Sequence, residues 1–222
     1  MATVPVIAVR DLAKSYARGS ERVHALRGVT FEIQSGEFVA VTGPSGSGKS
    51  TLLHLVGALD RPSSGSVRIH GEEIGDKPER DLRGLRGGRI GFVFQQFYLL
   101  PGLTVEENIL LPLLFSRSTL DSARISGILE SVGLANRRGH LPSQLSGGEM
   151  QRVAVGRALA GDPEIILADE PTANLDSENG LAVFELLRGL ARRGITVVIV
   201  THNPELATRT DRVIRLRDGM LV

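Results

Sequence analysis

The octet Gly43-Pro44-Ser45-Gly46-Ser47-Gly48-Lys49-Ser50 limits the folds open to this chain more than any other stretch. It meets every fixed position of the phosphate-loop pattern G-x-x-x-x-G-K-[ST]. The pattern has meaning only between a strand and a helix, and the flanks supply both. Phe38-Val39-Ala40-Val41 is an apolar, β-branched run that stops at Thr42-Gly43, as a buried parallel strand does. Beyond Ser50, residues Leu52, Leu55 and Val56 recur at helical spacing. Gly43, Gly46 and Gly48 let the backbone turn its N–H groups inward, where they and the helix N-terminus attract phosphate oxygens. Lys49 brings a point charge to the β- and γ-phosphates, and Ser50 a hydroxyl ligand for Mg²⁺. Lysine occurs only at 14, 49 and 77 while arginine is abundant, so a lysine at this position is not background.

Ile165-Ile166-Leu167-Ala168 is a second buried-strand run, and it ends in Asp169 and Glu170. Ligands of open parallel sheets sit beyond the C-terminal strand ends. Asp169 is therefore expected near the Mg²⁺ held by Ser50, and Glu170 where it can activate water against the γ-phosphate. Without the phosphate loop upstream, two solvated acids at a strand exit would be the better reading. Ser146-Gly147-Gly148-Glu149 reads as an S-x-x-E capping box opening a helix through Val153, Ala154, Arg157, Ala158 and Leu159. A cap explains the Ser and the Glu. It leaves the paired glycines, which cost helix stability but allow close backbone approach to an anion.

Leu145-Ser146-Gly147-Gly148-Glu149 resembles the LSGGx signature of the ATP-binding-cassette (ABC) ATPases, and the other family elements follow in family order. Tyr16 matches the aromatic that stacks on adenine, and Gln95 the Q-loop glutamine. Pro171, Asn174-Leu175-Asp176 and His202 match the segment after Walker B, the D-loop and the switch histidine. The resemblance covers about residues 6–222. Phe92-Val93-Phe94-Gln95, Leu99-Leu100-Pro101, the stretch from Leu103 to Ile109 and that from Ala168 to Asp176 are similar to the MacB/LolD/FtsE branch, which includes macrolide and lipoprotein exporters and cell-division relatives. Ala173, Gly156 and Asn203 depart from that branch, which has Gly, Ala and Asp there; Asn203 removes a charge beside His202. No N-K-x-D guanine-reading motif occurs.

The resemblance implies an α/β P-loop NTPase core with a mostly parallel sheet, an antiparallel β edge layer and an inserted α-helical lobe. It implies one ABC ATPase domain over 1–222, with the core in 1–95 and about 162–222 and the lobe in about 96–161. The expected ATP-binding residues are Tyr16, Gly43, Pro44, Ser45, Gly46, Ser47, Gly48, Lys49, Ser50, Thr51 and Gln95. Ser50, Gln95 and Asp169 are expected to face Mg²⁺, and Glu170, His202 and Lys49 to carry the chemistry. A head-to-tail homodimer is implied, in which Ser146-Gly147-Gly148 of one chain closes on the γ-phosphate held by the other while Asp176 links the sites. The implied role is to power a separate transmembrane permease from the cytoplasmic face of the plasma membrane, exporting or extracting a lipoprotein, peptide or drug-like substrate. Mechanotransmission to cell-envelope or division machinery uses the same motifs and stays open. A DNA-maintenance or translation ATPase would need a long coiled coil or a second cassette, and the chain has neither.

Composition agrees. No stretch approaches the ~20 apolar residues that span a bilayer, and the best run, Ile109 to Phe115, holds Pro112. Met1 to Val9 lacks the charged start and apolar core of a secretion signal. The chain has no cysteine, which excludes disulfides and thiolate metal sites. A net charge of +1 gives no field for nucleic acid. The local basic stretches Arg80, Arg83, Arg86, Arg89 and Arg209, Arg212, Arg215, Arg217 read as solvated faces, with contact to anionic lipid heads or a partner's acidic loop as the competing reading.

Along the chain, Val4 to Val9 and Val29 to Ile33 read as strands of the edge layer, with Tyr16 in the loop between them. Val67 to Ile69 and Ile90 to Phe94 are further strands. Helical signals then dominate: a capping box at Thr104-Val105-Glu106-Glu107, and a helix from Leu120 to Val132 closed by Gly133. The core resumes with a helix at about 177–193 and strands at Ile195 to Val200 and Val213 to Leu216. After Gln95, the run Phe97, Tyr98, Leu99, Leu100, Pro101, Leu103 is unusually apolar for a loop; it either packs the lobe onto the core or docks the permease.

Overall fold

The computed structural model describes residues 4–19, 21–115 and 122–222. The chain opens with a long antiparallel ribbon of β1 (Ile7–Arg18) and β2 (Glu21–Ile33), crosses through β3 (Phe38–Thr42), and turns into α1 (Lys49–Val56). Strands β4 (Ser64–Ile69) and β5 (Glu72–Glu73) rejoin the ribbon. Helix α2 (Glu79–Gly84) continues as a π-helical turn over Leu85–Arg89 and leads into β6 (Ile90–Val93). The next helices are α3 (Val105–Leu110), α4 (Ser122–Ser131) and α5 (Gly147–Leu159). The rest alternates: β7 (Ile165–Asp169), α6 (Ser177–Arg192), β8 (Thr196–Val200), α7 (Pro204–Ala207), then β9 (Arg212–Arg217) and β10 (Met220–Leu221).

The strands form an antiparallel sheet, β2-β1-β4-β5, and a larger one, β10-β9-β3-β8-β7-β6. In the larger sheet β9, β3, β8, β7 and β6 run parallel and only β10 turns back. Strand β8 is buried along its whole length, and β3 and β7 along all but the last residue. Such continuous apolar runs fit strands covered on both faces. Successive side chains still point to opposite faces, and they divide between two cores. Phe38, Ala40, Ile166, Ala168, Val197 and Ile199 join the cluster under α3 to α6, while Val39, Val41, Ile165, Leu167, Val198 and Val200 join that under α1 and the antiparallel sheet.

Strand β3 therefore sits between β9 and β8, with β7 one place further. The chain segments leaving β3, β7 and β8 emerge side by side at the C-terminal ends of these strands, where an open parallel sheet binds its ligand.

Two expectations change. Tyr16 lies inside β1, not in a loop: pairing runs on to Arg18–Glu21, with register shifts at Val9/Leu12, Leu12/Ala13 and Lys14/Ser15. The outer ribbon is solvated, with Glu21, Arg22, Val23 and His24 all exposed, so no apolar period marks this part of the strand. Strand β1 begins at Ile7, so Val4 precedes it. The proposed helix start at Leu120 lies outside the described residues; from Ser122 the helix is present, with Ile125, Ile128, Leu129 and Val132 buried.

Candidate active site

The loop between β3 and α1 is shaped by close backbone neighbours. A Cβ on Gly43 would lie 2.1 Å from the carbonyl oxygen of Leu216, and one on Gly48, at φ +99°, 2.4 Å from that of Ala25. Only glycine fits such approaches, and the positive φ adds to the need at Gly48. Lys49 Nζ donates to the carbonyls of Gly43 and Pro44, both at 2.9 Å. Ser50 Oγ donates to Asp169 Oδ1 at 3.2 Å, which joins the loop to the end of β7.

Glu170 follows at φ +47°, a left-handed conformation uncommon for a non-glycine residue. Its N–H donates to Val200 O at 3.0 Å, fixing the exit of β7 against that of β8. Its carboxylate then meets the switch-position residue: Glu170 Oε2 lies 2.8 Å from His202 Nδ1 and accepts from the His202 N–H at 3.4 Å. Gly43, Ser45, Gly46, Gly48, Lys49, Ser50, Thr51, Glu170 and His202 line one open cavity of about 520 Å³. A phosphate cradle thus faces a carboxylate–imidazole pair across one space, an arrangement suited to water attack on a bound phosphate.

The Ser50 hydroxyl and Asp169 carboxylate are oxygen donors of the kind a hard cation prefers, so they fit Mg²⁺. Among the described residues no group of at least three His, Cys, Asp or Glu could hold a metal. A cation at this pair would take its other ligands from phosphate and water, as Mg²⁺ usually does.

Other expected site residues do not line the cavity. The Tyr16 hydroxyl donates to Asp60 Oδ2 at 2.8 Å, and Lys14 Nζ sits 4.9 Å from its ring centroid. Burial, then the bond to the Asp60 carboxylate, holds the Tyr16 pKa above its ordinary value. Gln95 is turned to the D-loop: its Nε2 donates to Asn174 Oδ1 at 3.4 Å, while Asn174 Nδ2 donates to Gln95 O at 3.1 Å. Pro44 and Ser47 belong to the loop but do not line the cavity; Ser47 is buried. Val23, His24 and Ala25 of β2 do line it. Sequence reasoning missed them, and the solvated ribbon carries no periodicity that would have marked them.

Ser146 caps α5 as its spacing predicts. Its hydroxyl accepts from Glu149 N at 3.2 Å, and Glu149 Oε2 accepts from Ser146 N at 2.8 Å. That backbone bond, together with the Arg137 guanidinium at 3.0 Å, holds the Glu149 carboxyl down to about 2. Leu145 packs on the core, as does Leu175. Asp176 caps α6, accepting from Asn179 N at 2.9 Å and Asn179 Nδ2 at 2.7 Å. The paired glycines then separate. A Cβ on Gly148 would lie 2.2 Å from Asn179 Oδ1, so packing within the chain already favours glycine there, since any larger residue must displace Asn179. At Gly147 the nearest atom, Leu175 Cδ2, is at an ordinary 3.4 Å. Asn203, the departure beside His202, caps α7: its Oδ1 accepts from Glu205 N at 2.9 Å and Leu206 N at 3.2 Å, a task Asn performs as well as Asp.

The apolar run after Gln95 divides. Leu99 packs against the core, while Tyr98 and Leu100 are exposed. Tyr98 meets Phe94 edge-on at 5.6 Å, and Phe94 stacks on Phe92 at 5.8 Å. With the π-helical turn and α5 these rings line a second concavity of about 280 Å³.

The sequence pattern described as "ABC transporter" matches residues 26–173. An uncharacterized ABC transporter ATP-binding protein of Thermotoga maritima is 50% identical over 97% of this chain and 93% of its own length. The lipoprotein-releasing system ATP-binding protein LolD 1 of Rhodopseudomonas palustris is 46% identical, over 97% of this chain and 98% of its own. The macrolide export ATP-binding/permease protein MacB of Chlorobium luteolum is 49% identical over 99% of this chain, which spans only 33% of that longer protein. Among solved structures, a dimeric post-hydrolysis state of the ATP-binding cassette MJ0796 bound to ADP and Pi superposes with a TM-score of 0.87 at 44% identity, covering 97% of this chain and 96% of that one. No helix among the described residues is long and apolar enough to cross a membrane. The chain belongs to the ABC transporter family, as an ATP-binding cassette.

Proposed function

We propose that this chain is the ATP-hydrolysing subunit of an exporter, working as a head-to-tail homodimer under a separate permease at the cytoplasmic face of the membrane. The observation that carries this reading is the Glu170–His202 pair at 2.8 Å on the wall of a cavity floored by the phosphate loop. Residues 43–51 bind the triphosphate, with Lys49 exchanging its loop carbonyls for β- and γ-oxygens, and Tyr16 takes the adenine. Ser50, Asp169 and Gln95 hold Mg²⁺, which when bound neutralises phosphate charge. Glu170 accepts the proton of the attacking water as the bond from the γ-phosphorus to the β-bridging oxygen breaks, and His202 orients that water. Leu145 to Glu149 close on the nucleotide of the second chain, and Asn174, Leu175 and Asp176 lie along the seam. The helical segment 96–161 acts as a lobe on the core, and the permease docks in the aromatic concavity between them, an apolar surface of the kind that marks such contacts.

The named relatives favour export over mechanotransmission: two are described as macrolide export and lipoprotein-releasing proteins. The substrate follows the permease, since its contacts lie there. Glu170→Gln tests the core of the proposal. Hydrolysis is expected to fall by at least about 100-fold while ATP still binds, measured by phosphate release and by fluorescent-nucleotide titration. Turnover equal to the parent would remove Glu170 as the base.

A further inference from the structure

The aromatic concavity is apolar but not neutral. Among the described residues, Arg86 and Arg157 are the charged side chains on its lining, and no carboxylate lines it. The two arginines differ in how their charge is met. Arg86 is ion-paired with Glu79 and donates to Ala58 O at 2.7 Å. Arg157, on α5, donates Nη1 to Tyr98 O at 2.6 Å and Nη2 to Phe97 O at 2.8 Å, both neutral acceptors. Burial alone accounts for the downward pull on its pKa; no carboxylate among the described residues compensates it. A partly desolvated cation with neutral partners is costly, and a charge-assisted bond to a carboxylate offsets that cost.

Resting on the docking reading above, we propose that the permease segment seated in this groove carries a carboxylate that pairs with Arg157, beside an apolar or aromatic side chain packed on Phe94 and Tyr98. The planar guanidinium has donors beyond the two used on Phe97 and Tyr98, and a fork of that shape suits a carboxylate. Arg157 also holds the carbonyls just after Gln95, so a carboxylate seated on it would bear on the loop that Asn174 ties to the D-loop. Arginine is preferred over lysine for this double task, because an ammonium cannot span two carbonyls and a carboxylate in one plane.

A displayed library of amphipathic helical peptides, panned against the intact chain, tests this. Enriched peptides are expected to carry Asp or Glu at a fixed spacing from an aromatic or leucine anchor. One enriched peptide and its Glu→Gln counterpart are then titrated against the parent, Arg157→Gln, Arg157→Lys and Tyr98→Asn, each checked for a retained melting transition. Asn replaces Tyr98 because it tolerates the φ of +47° there. Tyr98→Asn should abolish binding of both peptides. On the parent the Glu peptide should bind at least tenfold more tightly than its Gln form. That preference should vanish in Arg157→Gln and return in part in Arg157→Lys, which also serves if the Gln variant does not fold. Binders sensitive to Tyr98→Asn but indifferent to Glu or Gln would overturn the carboxylate proposal and leave the docking reading standing. Binders indifferent to Tyr98→Asn, or no binders at all, would overturn both.

Discussion

Glu149 shows how much one side chain does for the signature turn. Its carboxylate closes the cap on Ser146 N and pairs with Arg137, and its pKa falls to about 2 as a result. The folded pKa lies below the unfolded value of roughly 4.3. The contribution is therefore complete above about pH 4.5, and is lost as pH falls through the folded value. Glu149→Gln keeps a capping side chain without the charge. Between about pH 5 and pH 2.5 the parent should lose more melting temperature than this variant; equal losses would remove Glu149 from the acid sensitivity. Lys49 gives the matching test for nucleotide. ATP at a hundredfold excess over its dissociation constant stabilises a binding-competent fold by about 2.7 kcal/mol, a melting shift of roughly 5–10 °C for a chain of this size. Lys49→Ala should lose most of the shift while melting normally without ATP. A parent whose melting ignores Mg-ATP would sink the nucleotide site itself.

At the scale of elements, what could be read from the sequence followed from how local the signal was. The buried strands β3, β7 and β8 announce themselves because each is apolar on both faces. The capping boxes at Thr104 and Ser146 are complete within four residues, and both form. The Tyr16 segment reads as a loop because its pairing with β2 is a tertiary fact with no apolar repeat to report it. For the same reason β2 gave no hint that Val23, His24 and Ala25 face the cavity. Nor could spacing reveal that Gly148 meets Asn179, a residue of another helix, so the glycine pair looked like one feature when it is two. Substitution separates them. Gly148→Ala should displace Asn179 from Asp176 and destabilise the chain by about 1–3 kcal/mol. Gly147→Ala should leave the isolated chain at least as stable, because Ala is the better helix former, yet weaken ATP-dependent dimerisation. Equal thermal losses in the two variants would merge the roles again.

The whole molecule gathers the phosphate loop, Asp169, Glu170 and His202 at the C-terminal ends of neighbouring strands, but leaves Ser146 outside the cavity that the loop, Glu170 and His202 line. In the proposed dimer a second copy supplies the signature turn over each nucleotide; the solved relative MJ0796 is dimeric. Ser146 is exposed at the N-terminus of α5, where a bulky cation is disfavoured by the helix dipole and would collide with an opposing subunit. Ser146→Arg should therefore bind ATP as a monomer nearly as well as the parent, since its own cavity is untouched. Glu170→Gln alone should accumulate an ATP-bound dimer, seen by size exclusion with light scattering, because the γ-phosphate that bridges the subunits is no longer removed. In the double variant the seam cannot close, and the species should stay monomeric at ATP concentrations that saturate its site. The comparison depends on both halves: the single variant must dimerise and the double must bind nucleotide. If the double variant still forms the ATP-bound dimer, the two chains do not meet head to tail through Ser146, and the signature turn acts within its own subunit.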